Sequence, residues 1–300
     1  MSAPNDLGEP LLPATAPLWS RRSLRWFFLV SFGIPWLGWT IVALTGVGDS
    51  ALGTALFYTG DFMTVGGFVA AYVAAGRPGV MSLLRRYFQV AAPVRWVLAA
   101  VFLPFVWIAL ALLAYGLTHD GIGRVVPAGL LTYLTGAGQL IAFTTGPLGE
   151  EAGWRGFLLP RLLGRYSPIV ASLVLGLLWS AWHYPLYYNA AFASVGGTAK
   201  FTFDILCYSI LLTVVWAHTR GSVFWAIILH WTINVTANVV AAVFPDIRPP
   251  ADEARWLLAG SLAVVTAAVV ALVGPRRLRS KVAETLAGLG AESIEADQRR

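Results

Sequence analysis

Three short stretches hold side chains that could do chemistry together. The first is Gly149-Glu150-Glu151-Ala152-Gly153-Trp154-Arg155, an adjacent acid pair with an arginine four residues beyond Glu151. The second is Trp179-Ser180-Ala181-Trp182-His183, followed by Tyr184-Pro185, and the third is His230-Trp231-Thr232-Ile233-Asn234. A carboxylate in a low-dielectric site can take a proton from water, and a histidine can orient or deprotonate the same water. A second histidine and an asparagine can donate hydrogen bonds to the oxyanion of a tetrahedral intermediate. Hydrolysis therefore fits this set. The same types also suit Zn²⁺, with Glu150, His183 and His230 as ligands and one position left for water. The residue types permit both versions.

Helical spacing divides the labour within the acid pair. Glu151 and Arg155 are four residues apart and pair on one face, whereas Glu150 is turned about 100° away from its neighbour. Glu150 is thus free to face something else. Trp179 and His183 share a face at the same spacing, and Pro185 removes a backbone hydrogen bond and loosens the helix near His183. His230 and Asn234 lie one turn apart, with Asn238 extending the stripe. Each stretch alone has an ordinary explanation, as interfacial charge or as a hydrogen-bonding strut between helices. Together they put a carboxylate, two imidazoles and an amide on three helices.

The elements that must position these residues are membrane helices. The chain has 300 residues, of which 57% are hydrophobic and 12% charged, against about 25% charged in soluble domains; mean hydropathy is +0.69. Runs such as 96–117 and 256–273 are nearly unbroken, and about 20 apolar residues cross the hydrocarbon layer. The expectation is an all-α, polytopic transmembrane helical bundle of about eight spans: 24–46, 54–75, 96–117, 128–149, 168–188, 200–217, 222–243 and 256–274. Glu150 falls at the cytosolic edge of the fourth, whose helix continues past it. With both termini cytoplasmic, 17 of the 21 basic residues lie on the inner side, leaving Arg124, Lys200, Arg248 and Arg255 outside. That asymmetry agrees with the positive-inside rule.

The net charge of +6 comes from short loops between apolar segments, which argues against nucleic acid as a partner. Cys207 is the only cysteine, so neither a disulfide nor a cysteine metal cluster within one chain is available. No cleavable signal peptide is evident. Residues 1–20 read as a disordered tail, 21–127 as N-terminal membrane helices and 128–243 as the core bearing the motifs. Residues 244–274 form a last loop and span, and 275–300 a cytoplasmic tail expected to make a frayed surface helix. His119 and His218 receive no role.

The ordered motifs Glu-Glu-x-x-x-Arg, aromatic-x-x-x-His and His-x-x-x-Asn resemble the CPBP family of intramembrane proteases, which includes type 2 CAAX prenyl endopeptidases and bacteriocin-processing or immunity relatives. The resemblance covers about residues 128–243 and rests on Glu150, Glu151, Arg155, Trp179, His183, His230 and Asn234. It implies a helical membrane fold in the cell membrane with a site opening toward the cytoplasm. It further implies an endopeptidase acting on a membrane-associated or prenylated protein or peptide. Glu150 with His183 would activate water, His230 with Asn234 would stabilise the oxyanion, and Glu151 with Arg155 would support the site. Members are described with either a metal or a metal-free glutamate mechanism. The second motif usually begins with Phe, where this chain has Trp179.

Two other functions are compatible with intramembrane polar residues. Asp61 and Asp204 are further acids within spans, which suits a proton-coupled transporter, although no inverted repeat is visible. A non-catalytic scaffold or immunity protein is the other alternative.

Overall fold

The computed structural model describes residues 21–119, 121–136, 143–187, 192–244 and 252–298. Among these residues the regular structure is entirely helical, with no strand. Six helices are long and apolar enough to cross a membrane: Arg21–Thr45, Ala51–Tyr87, Val94–Thr118, Val195–His218, Val223–Val243 and Trp256–Val273. Each matches one of the expected spans within a few residues, apart from the extension of Ala51–Tyr87 discussed next.

Local chemistry sets where these helices begin and bend. Ser50, Ser167, Ser194 and Ser222 each stand at an N-cap, accepting the backbone N–H of the residue three positions on. This satisfies one of the donors that a helix start leaves unpaired. Ala51–Tyr87 is longer than a span needs because two helices meet at a kink. Ala75 and Gly76 have non-helical backbone angles, and Gly76 has φ +61°, a conformation that glycine alone adopts readily. The expected boundary at residue 75 coincides with that kink.

Two expected spans differ from the structure. Residues 128–149 are not one helix. Pro127–Thr135 is a short helix, residues 137–142 lie outside the described set, and residues 144–163 form a separate, largely π-helical segment. Glu150 is therefore not at a helix edge. The helix carrying it runs on to Leu163, and the turn that follows leads into Pro168–Trp182. That helix has only 15 residues, roughly 22 Å, and stops one residue before His183. Counting from the turn, Glu150 and His183 each lie on the order of 20 Å along their helices. The two meet because the polypeptide turns at 164–167 and runs back alongside itself.

The core of the bundle is aromatic. Trp154, Trp179, Trp182 and Trp216 are among the largest fully buried side chains. The Trp182 indole donates to the Ser31 carbonyl at 2.7 Å and meets Trp39 edge-on at 4.7 Å. The 152–158 segment packs closely on the Ala51–Tyr87 helix because both faces are small. A Cβ on Gly153 would lie 2.4 Å from the Met63 carbonyl oxygen, and one on Gly67 would lie 2.9 Å from that of Ala152. Small residues allow this backbone approach in membrane bundles.

The two ends of the chain fare differently. Residues 1–20 lie outside the described residues. The C-terminal Pro275–Gln298 helix is packed rather than frayed: Leu278, Val282 and Leu286, at four-residue spacing, are buried. Thr285 also donates to the Ala217 carbonyl at 3.1 Å.

Candidate active site

The 144–163 helix presents its two acids to different surroundings, as their 100° separation requires. Glu151 is fully buried and accepts Arg155 Nη1 at 2.8 Å through Oε1. The same oxygen accepts His230 Nδ1 at 2.8 Å. The Glu151–Arg155 pair was legible from spacing. The bond to His230, which joins the first motif to the third, was not. Because a carboxylate can only accept from Nδ1–H, the neutral His230 ring keeps Nε2 as its unprotonated nitrogen, and both nitrogens donate once the ring is charged.

Glu150, also buried, meets no cation directly. Its Oε2 accepts two indole N–H groups, from Trp154 at 3.0 Å and Trp179 at 2.7 Å. Trp154 stands four residues beyond Glu150, the spacing that links Glu151 to Arg155. Sequence reasoning applied that rule to one acid and overlooked it for the other.

Trp179 is the hub of the site. Besides holding Glu150, its carbonyl accepts His183 Nδ1–H at 2.9 Å. Its ring lies 4.5 Å from the Arg155 guanidinium carbon and meets the edge of His230 at 5.1 Å. A carbonyl cannot donate, so the neutral His183 ring again has Nε2 available as an acceptor. His183 stacks on Tyr187 at 5.5 Å and is flanked by Trp182 and Phe201. Tyr187, which the motif reading did not single out, thereby becomes part of the wall.

Glu150, His183, His230 and Asn234 line one cavity of about 200 Å³, with aromatic and aliphatic walls. Gly146 marks where three of them converge. A Cβ placed there would lie 3.3 Å from Asn234 Nδ2, 3.4 Å from Glu150 Oε1 and 3.6 Å from His230 Nε2. One small group can thus meet all three at the cavity wall. Asn238, expected to extend the stripe, instead donates to the Tyr133 hydroxyl at 3.4 Å from an exposed position. It does not line this cavity.

Glu150, His183 and His230, the residues expected to hold a metal, all line this cavity. Among the described residues no group of three His, Cys, Asp or Glu side chains is arranged to hold a metal ion. Glu150 Oε2, His183 Nδ1 and His230 Nδ1 are each engaged within the protein, which leaves the lone pairs of Glu150 Oε1 and the two Nε2 atoms for water or a metal.

Comparison with known proteins addresses the same stretch. The family described as Type II CAAX prenyl endopeptidase Rce1-like matches residues 133–236. This segment is similar to that family, and the match covers less than half of the chain. The match includes every residue on which the CPBP resemblance rests, from Glu150 to Asn234. A CAAX prenyl protease 2 of Methanococcus maripaludis is 31% identical over 128 residues, covering 40% of this chain and 44% of the relative. The chain thus spans less than half the length of this curated relative. The helices before residue 133 lie outside the family match.

Proposed function

We propose that this protein is an intramembrane endopeptidase that uses Glu150 to activate water. The observation that carries this reading is the convergence of Glu150 Oε1, His230 Nε2 and Asn234 Nδ2 around Gly146. The family match over residues 133–236 and the name of the Methanococcus maripaludis relative support the same class of reaction.

In this mechanism a water donates one hydrogen bond to Glu150 Oε1 and another to His183 Nε2. Glu150 takes the proton as the water oxygen bonds to the scissile carbonyl carbon. The carbonyl oxygen becomes an oxyanion, which accepts from Asn234 Nδ2–H and from protonated His230 Nε2–H. Glu151, held by Arg155, accepts from the other nitrogen of His230 and fixes the ring's orientation. Glu150 then gives its proton to the departing amide nitrogen as the carbon–nitrogen bond breaks. Trp154 and Trp179 hold the unreactive oxygen of Glu150 throughout. No step uses a metal.

The substrate class is a membrane-associated protein or peptide, with a prenylated CAAX-type sequence as the first to test. The distribution of basic residues supports a cytoplasm-facing site in a multi-pass cell-membrane protein. Transport is the weaker reading because Asp204 is ion-paired with Lys200 one turn earlier on its own helix.

The test is cleavage of a farnesylated peptide and its unprenylated twin by purified protein in lipid. Glu150→Gln should abolish turnover while leaving membrane insertion and thermal unfolding close to wild type. Added chelator should leave the wild-type rate unchanged. Full activity in Glu150→Gln would sink the mechanism, and loss with chelator restored by Zn²⁺ would replace it with a metal-dependent one.

A further inference from the structure

A second, larger cavity lies away from the candidate active site. It measures about 960 Å³ and is bounded by the 89–95 connection, the end of Val195–His218 and the C-terminal helix. The first two lie where the membrane helices Ala51–Tyr87 and Val195–His218 end and Val94–Thr118 starts, and the third follows the Trp256–Val273 helix in the chain. In a bilayer such ends lie in the headgroup layer.

The lining is cationic on three sides. Arg95 comes from the start of one helix, Arg220 from the turn after another, and Lys281 from the C-terminal helix. Glu284, the acid in the lining, pairs with Lys281 at 2.5 Å. Among the described residues neither Arg95 nor Arg220 has an acidic partner. Arg220 Nη2 reaches the Ala91 carbonyl at 3.3 Å, which uses one of five guanidinium donors.

Two further observations suggest that this basic surface is built. Arg220 has φ +58° and is the only non-glycine residue in the left-handed region among those described. Glycine would adopt that backbone more readily, yet an arginine occupies it, and such outliers cluster at functional positions. His218 forms part of the lining and is 5% exposed, stacked on Trp96 at 4.1 Å. Its Nδ1–H donates to the Val214 carbonyl at 2.8 Å, while its Nε2 is buried without a hydrogen-bond partner. That nitrogen is an acceptor in search of a hydroxyl.

We propose that this cavity binds a phosphate group bearing a hydroxylated substituent, as in the headgroup of phosphatidylglycerol. Arg95 and Arg220 take the phosphate oxygens, where an arginine fork matches the geometry. His218 Nε2 accepts from the glycerol hydroxyl. Anionic lipid would thereby tie together the 89–95 connection, the Val195–His218 helix and the C-terminal helix.

The experiment uses the full chain in detergent, titrated with short-chain phosphatidylglycerol, phosphatidylmethanol, phosphatidylcholine or inorganic phosphate, with the thermal unfolding midpoint as readout. Phosphatidylglycerol should raise the midpoint saturably, and phosphatidylcholine should not. The double variant Arg95→Gln/Arg220→Gly should weaken that response at least about tenfold, in line with loss of two charge-assisted contacts. Its midpoint in phosphatidylcholine reports whether it still folds, and glycine relieves the backbone at 220. Arg22→Gln/Arg25→Gln, which removes the same charge from exposed positions elsewhere, should respond as wild type. Competition by inorganic phosphate would assign the site to phosphate from either source, and its absence would assign it to lipid. Equal weakening in both double variants would overturn the site in favour of diffuse surface charge. Equal affinity for phosphatidylmethanol, which lacks the hydroxyl, would remove His218 from it.

Discussion

The two sides of the 144–163 helix solve the problem of a buried acid differently. On one side Glu151 meets Arg155, with both side chains fully enclosed by protein, and accepts from His230 at the cavity edge. On the other, Glu150 rests against two neutral indoles and keeps Oε1 toward a cavity. An acid held by a buried cation is a strut, because moving it uncovers buried charge. An acid held by weak neutral donors, with one oxygen to spare, can change protonation without dismantling its surroundings. Adjacent residues thus separate into one that holds the site and one that reacts.

That contrast can be broken most forcefully at the strut. Glu151→Gln leaves Arg155 buried without its counter-charge, so it should cost about 3–5 kcal/mol and lower the unfolding temperature sharply. Glu150→Gln in the same assay should lose little stability. Comparable unfolding temperatures for the two variants would erase the distinction between the acids. Next in size is Asn234→Ala. Removing an oxyanion donor should lower kcat by about 10²–10³-fold with little change in KM, measured by peptide turnover at saturating substrate.

Smaller changes sharpen the reactive side. Trp179→Phe deletes one indole donor to Glu150 while keeping most of the ring packing, and a hydrogen bond to a charged group is worth about 1.5–3 kcal/mol. Turnover should therefore fall, and Trp154→Phe should lower it further; unchanged rates in both would mean that the indoles do not position the acid. Gly146→Ala places a methyl group where Glu150, His230 and Asn234 converge. It should slow turnover by about tenfold, equivalent to about 1.4 kcal/mol of barrier, without lowering the unfolding temperature. A stable Gly146→Ala variant with the wild-type rate would show that the reacting water sits elsewhere.

Much of the site was legible wherever it depended on one helix. Glu151–Arg155 follows from four-residue spacing, and the same rule applied to Glu150 would have found Trp154. Pro185 signalled a loosened helix near His183, although the expected span ran on to 188 and the helix stops at Trp182. Gly146 carries no such signal, because a glycine among other glycines gains meaning only from what approaches it. Asn238 shows the opposite error. It shares the His230 periodicity but lies beyond the site, since a stripe along one helix does not say where its neighbour ends.

What the sequence by itself determined is the class of molecule and its local pairs. Composition demands an all-helical membrane bundle, because backbone polar groups in lipid must be satisfied within the segment, and helical periodicity pairs residues four apart. Only the tertiary structure decided that Glu151 holds His230, that Trp179 ties Glu150 to His183, and that Glu150 lies well inside its helix. Those contacts join residues 29 to 79 positions apart. They depend on where the polypeptide turns at 164–167 and how the returning helices pack, and no single helical period contains that information.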